Sequence, residues 1–198
     1  MRTTSVLSNL GNVLRINGKL DESEQTLRES VDRSVSIQGD SYGSAQARYY
    51  LSRLYLEKGD LKNAATEARK SVETMNKIKT QNYVTRLSTS VLGLALTRQG
   101  KSSEGESLVR KALADEQSAH PKDERHVAVF QMTLGECLFY QSKFGDAESQ
   151  LIAGHIVLQD SFGSRNAYAR QAARDLVALY EKWQKPERAE QFREFASL

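Results

Sequence analysis

Residues 96–103, LTRQGKSS, contain Gly100-Lys101-Ser102, the tripeptide that closes a phosphate-binding loop. Such a loop also needs a glycine five residues earlier, because bare backbone must wrap the phosphates, and it must follow a β-strand. Ala95 stands at that position, and the preceding TSVLGLAL (89–96) is a run of helix formers. The stretch therefore reads as a turn between two helices. The rest of the chain repeats it: NGKL begins at residue 17, KGDL at 58, QGKS at 99, QSKF at 141 and QKPE at 184, with spacings of 41, 41, 42 and 43. Five copies of one turn at this period mark a repeat array.

Composition agrees. The chain has 198 residues, of which 39% are hydrophobic and 27% charged, as expected of a folded protein. Its two prolines, Pro121 and Pro186, fall at expected junctions, and the residues between favour helices. No apolar run approaches the roughly 18 residues of a membrane span, and the opening MRTTSVLSNLGNVL is too polar for a signal peptide. A net charge of +3 with acids and bases interspersed argues against a nucleic-acid partner. The single cysteine, Cys137, excludes an internal disulfide and lies on an apolar face, as a buried bystander would.

Aligned on the turns, the copies share one unit. A first helix carries a landmark leucine, usually a small residue after it, and an apolar residue four positions on. These are Leu10-Gly11 with Leu14, Leu51-Ser52 with Tyr55, Leu92-Gly93 with Leu96, Leu134-Gly135 with Leu138, and Leu176-Val177 with Tyr180. After the turn, a second helix begins with a small residue: Ser23, Ala64, Gly105, Ala147 or Ala189. Four positions later come Leu27, Ala68, Val109, Leu151 and Arg193. These spacings put the side chains on one helical face. Small residues on both helices let the backbones approach, and large ones fill the space around them. One pair cannot bury its apolar face alone, so the units must stack.

LSNLGNVLRINGKLDESEQTLRES (7–30) and LGECLFYQSKFGDAESQLIAG (134–154) resemble tetratricopeptide repeats. The long period and the inter-repeat segments SIQGDSYGSA, SAHPKDERHVA and QDSFGSRNAYA are similar to the kinesin-light-chain variety. The last unit, LVALYEKWQKPERAEQFREF (176–195), resembles the final repeat of arrays that follow the catalytic domain of bacterial serine/threonine kinases. The resemblance implies an all-α solenoid of about five helix pairs wound into a right-handed superhelix, a single domain with repeats near 4–42, 43–81, 82–122, 123–163 and 164–198. Ten helices are expected near 4–17, 20–38, 43–58, 61–79, 82–99, 102–118, 123–141, 144–160, 165–183 and 186–197. Placement is expected to be cytoplasmic, or extracytoplasmic if the array belongs to a membrane-anchored kinase.

No catalytic constellation is evident. His120, His126 and His155 show no pairwise metal-ligand spacing and no Cys or acidic partners completing a tetrahedral set, so neither metal nor cofactor is expected. No serine sits in a nucleophile elbow and no kinase signature occurs. The expectation is a non-enzymatic scaffold for a protein or peptide partner. In the resembled arrays the first helices line the concave face, with side chains two before, two after and five after the landmark leucine pointing inward. That implies a peptide site of Ser8, Asn12, Arg15, Tyr49, Arg53, Leu56, Ser90, Leu94, Met132, Glu136, Phe139 and Arg174, with Thr97, Ala178 and Glu181 in the same rows. Asn9, the one residue that keeps the asparagine often found before the landmark leucine in the kinesin-light-chain type, is counted in the same peptide site. Of the carboxylate clamp of chaperone-tail receptors only Asn12 is present. Ser8, Leu87 and Val91 replace its cations, so that function does not carry over.

At the first unit, Val6 and Val13 lie on a stripe whose counterparts, Ala47 with Leu54 and Phe130 with Cys137, should face a preceding helix. The expectation is that the chain either is part of a longer protein or pairs through its first helix as a homodimer. Oligomerisation is thus the second reading of function, and catalysis a distant third.

Overall fold

The structure, a computed structural model, describes residues 4–164 and 166–197. Ten α-helices follow one another: α1 (Thr4–Ile16), α2 (Leu20–Gln38), α3 (Tyr42–Glu57), α4 (Leu61–Lys77), α5 (Tyr83–Arg98), α6 (Ser102–Ala119), α7 (Glu124–Tyr140), α8 (Phe144–Phe162), α9 (Ala167–Lys182) and α10 (Pro186–Ser197). Odd and even helices form five antiparallel pairs, and each pair stacks on the next. The odd helices also touch one another along the array, α1 to α3 to α5 to α7 to α9, and so form its inner layer. No helix of the described residues is long and apolar enough to cross a membrane.

The turn that opened the analysis explains itself. Gly18, Gly59 and Gly100 all adopt positive φ, at 75°, 76° and 87°. In the turn after α5, Gly100 N–H donates to Thr97 O and Lys101 N–H to Leu96 O at 2.9 Å, closing the helix with its own last carbonyls. The same pair of bonds recurs at Gly18, Gly59, Ser142 and Gln184. Gly100-Lys101-Ser102 therefore serves the chain's geometry, with Ser102 opening α6.

Helix starts are set by side-chain caps. Asp60, Asn82, Asp123 and Asn166 each accept from backbone N–H groups of the helix that follows. Ser41 and Asn82 form reciprocal capping boxes with Ser44 and Thr85. Pro186 is the first residue of α10, where its missing N–H has no intrahelical role.

Inside each pair the small residues meet the opposite helix. A Cβ on Gly93 would stand 2.6 Å from Gly105 O, and one on Gly135 would stand 2.6 Å from Leu151 Cγ. Leu27, Leu54, Phe130, Leu134, Leu151, Leu176 and Tyr180 fill the space around these contacts and are fully buried. Burial of each leucine contributes roughly 2 kcal/mol. Serines meet as well: Ser8 Oγ lies 2.8 Å from Ser30 Oγ within the first pair, and Ser71 Oγ 2.8 Å from Ser88 Oγ between the second pair and the third.

Candidate functional site on the concave face

The inner layer encloses two adjoining cavities. The larger, about 430 Å³, lies between α1, α3 and α9 and is walled by Arg15, Arg53, Tyr168, Arg170, Gln171 and Arg174. The smaller, about 220 Å³, lies deeper, between α3, α5, α7 and α9. Arg53, Arg98, Glu136, Tyr140 and Asp175 surround it, with Leu56 and Leu94 among its lining. Arg53, Glu57 and Gln171 belong to both.

Some of the arginines are committed to the protein. Asn12 Oδ1 accepts from Arg15 at 2.9 Å, and the same guanidinium pairs with Glu57. Arg98 donates to Leu56 O at 2.9 Å and lies over the Tyr140 ring. Arg53 and Arg170 are different. Among the described residues neither makes a hydrogen bond or an ion pair, and Arg170 Nε is buried without an acceptor. Two guanidinium groups thus face the larger cavity with donors to spare.

The acids opposite them are strained by their surroundings. Burial raises Glu136 above the usual carboxylate range, against the pull of Arg53 and Arg98. Burial raises Asp175 further, and the neighbouring Glu136 charge adds to it. Asp175 Oδ1 accepts from Gln171 at 2.8 Å, while Oδ2 is buried without a partner.

The expected inward rows need correction. Residues two before the landmark leucine are buried in the first four repeats and line neither cavity. Ser8, Tyr49, Ser90 and Met132 are each at most 4% exposed. Ser8 meets Ser30, and Met132 packs over Gly154, where a Cβ would come within 2.9 Å of its Cγ. Only in the last repeat does this row reach the groove, with Arg174 on the larger cavity. Two positions after the leucine, Arg53 and Glu136 do line the groove, and Asn12 orients Arg15. Leu56 and Leu94 contribute apolar floor, and Thr97 is buried against Cys137. Phe139 lies beside Glu136 with Lys182 over its ring, and Asn9 is exposed but lines neither cavity.

Sequence reasoning missed Glu57, Arg98 and Tyr140. All three stand six after their landmark leucine, four after the row of Arg53, Leu94 and Glu136, and so on the same face. It also missed Tyr168, Arg170, Gln171 and Asp175, which α9 carries in from the far end of the array.

Residues 2–77 match the family model of the tetratricopeptide repeat. The whole chain superimposes on solved structures of such repeats. One is the set of nearly identical TPR-like repeats from a Podosopora anserina protein described as a kinesin light chain, with TM-score 0.61 and 17% identity, covering 98% of this chain and 96% of that one. This is a tetratricopeptide-repeat fold. BtubC (BKLC) from P. vanneervenii matches the array with TM-score 0.63 and 18% identity, over 89% of this chain and 72% of the other. At these identities the likeness concerns the tetratricopeptide fold alone. No curated protein sequence matches the array significantly.

Outside the groove, burial pushes the Cys137 thiol up to about 12, which keeps it protonated and inert. His155 is buried among Phe192 and Phe195 with Nδ1 3.2 Å from Ala169 O, a packing role. The other two histidines depart from expectation: the fold brings His120 and His126 together with Glu116, all ligand atoms within 4.8 Å of one another.

Proposed function

We propose that this array is a scaffold that holds an extended, acidic peptide segment of a partner protein on its concave face. The fold supports a protein-interaction role. The observation that carries the finer reading is the pair of guanidinium groups, Arg53 and Arg170, that face the larger cavity without a protein acceptor. A carboxylate from the peptide satisfies both their charge and their donors. Tyr168 and Ile16 on the same wall give its neighbouring side chains an apolar seat. Placement in a bacterial signalling protein rests on the resemblance of the last repeat to kinase-associated arrays.

Selection from a displayed library of random peptides tests the reading. Enrichment of Asp and Glu is expected, and Arg53→Ala should weaken a selected peptide by about tenfold or more, the effect of losing a charged hydrogen bond. Selected peptides without acidic bias, or binding unchanged by Arg53→Ala, would remove it.

A second reading has its own observation. Val6 and Val13 on α1 are 49% and 51% exposed, whereas their counterparts Ala47, Leu54, Phe130 and Cys137 are fully buried. A second copy of the chain covering this face would make the array an oligomerisation module. Light scattering over a hundredfold concentration range, on the native chain and on Val13→Lys, decides it. A dimer lost in the variant supports pairing, and a monomer throughout rejects it.

A further inference from the structure

Between the third and fourth repeats, Glu116 on α6, His120 at its end and His126 on α7 converge on one point. Glu116 is fully buried, yet its two oxygens have separate duties. Oε2 accepts from Arg86 Nε, which fixes the carboxylate plane. Oε1 faces His120 Nδ1 at 2.7 Å and His126 Nδ1 at 3.4 Å, and Asp123 Oδ2 lies 3.7 Å from His126 Nδ1. His126 is held from behind by stacking on Tyr83, with ring centroids 4.2 Å apart. Its Nδ1 is buried and makes no hydrogen bond.

That unpartnered nitrogen is the point of interest. Carboxylate oxygens at this distance call for a proton on Nδ1 or for a cation between the atoms. Zinc bonds of about 2.0–2.1 Å arranged tetrahedrally put neighbouring ligand atoms roughly 3.3 Å apart. The His126–Glu116 separation, 3.4 Å, is close to this already, and a small swing of the His120 ring adjusts the other two edges, to Glu116 at 2.7 Å and to His126 within 4.8 Å. That swing is open, because the His120 side chain is 44% exposed on the loop that holds Pro121. Imidazole and carboxylate donors suit zinc-like transition ions, and a ligand carboxylate held by a second group is how such sites are commonly oriented.

We propose that Glu116, His120 and His126 form a zinc-class divalent metal site that staples the junction between the third and fourth repeats, with Asp123 or a water in the fourth position. The two histidines come from opposite sides of the inter-repeat loop, so the ion sets the angle at which α7 leaves α6. This inference stands apart from the peptide reading, because none of these residues lines the concave cavities.

The test uses the untagged full chain titrated with Zn²⁺ by calorimetry and with Co²⁺ by visible absorption. One saturable site is expected, with the intense bands of tetrahedral Co²⁺. A rise in Tm of about 5–10 °C is expected at a hundredfold excess of Zn²⁺ over its Kd, with none for Mg²⁺. His120→Gln and His126→Phe should each weaken binding by about 100-fold or more. Phenylalanine keeps the stack on Tyr83. Should that variant fail to fold by circular dichroism, His120→Gln decides alone, since its ring lies on an exposed loop. No saturable binding, or binding retained by a folded variant, overturns the proposal.

Discussion

Gly93 and Gly105 meet where α5 crosses α6, and the contact leaves no room for a methyl group. A Cβ on Gly105 would stand 2.2 Å from Thr97 Oγ1 and 2.3 Å from Gly93 O. Because one obstacle is backbone, the pair cannot relax by a rotamer change. Gly105→Ala is expected to destabilise the protein by about 3 kcal/mol, read from urea unfolding. The left-handed turn gives the opposite case. Three repeats place glycine there, but the fourth and fifth hold Ser142 at φ 60° and Gln184 at φ 59°. A side chain in this conformation costs roughly 1 kcal/mol. Ser142→Gly should therefore raise stability slightly, by up to about 0.5 kcal/mol after the entropy that glycine adds to the unfolded chain, measured by the same unfolding curves. Both residues were legible in the sequence, since the turn repeats at near-constant spacing and small residues recur beside the landmark leucine. The burial of Ser8, Tyr49, Ser90 and Met132 was not legible. A position on a helical face does not say which neighbour that face meets.

Pairs of helices are joined to the next pair by a recurring polar strut. Glu24 on α2 accepts from Lys58 at 2.8 Å and from Tyr55 at 3.2 Å, both at the end of α3. Glu106, at the same register in the third repeat, accepts from Lys143 at 2.8 Å and Gln141 at 2.9 Å beyond α7. Glu148 completes the series by accepting from Tyr180 at 2.6 Å. The second repeat has Ala65 at this register and instead uses Gln99, which donates to Leu61 O. The Lys143 hydrogen bond, with help from Arg110 and Gln141 and against partial burial, holds the Glu106 carboxyl down at about 2. A carboxyl lowered in the folded state stabilises it above its ordinary range, and that stability is lost as pH falls from about 4.5 towards 2. Glu106→Gln should remove about 1 kcal/mol at neutral pH, discounted for the partly wet site. It should also flatten the acid limb of the stability profile measured by thermal unfolding. Helix limits were legible to within about two residues, because caps and turns announce them locally. The struts were not, because each joins residues 31–37 apart.

Across the whole molecule, the curvature of five stacked pairs brings α9 to face α1 and α3, and the groove is made by that closure. Here sequence reading had least purchase. Arg170 and Arg174 face a cavity whose opposite walls, on α1 and α3, lie more than a hundred residues away in the chain. Glu136 and Asp175, both raised by burial, take up protons above the usual carboxylate range. Because their folded pKa is raised, the fold favours the protonated forms and loses that advantage as pH rises through the raised values. For an acidic peptide, the same protonation removes repulsive charge from the groove floor. Its affinity should rise as pH is lowered through the raised range of these two groups, while the peptide's own exposed carboxylates stay ionised. Fluorescence anisotropy of a selected peptide measures this, and Asp175→Asn should flatten the dependence.

The larger cavity is bounded by the first two repeats on one side and the last on the other, with two whole repeats between its walls. Its width is therefore the accumulated result of every stacking angle in the chain. A slight tilt at any junction is multiplied by the length of the arm beyond it before it reaches Arg53 and Arg170. The array works as a caliper whose jaws are adjusted at a distance. Substitutions buried between repeats, far from any bound segment, should tune how tightly the jaws close.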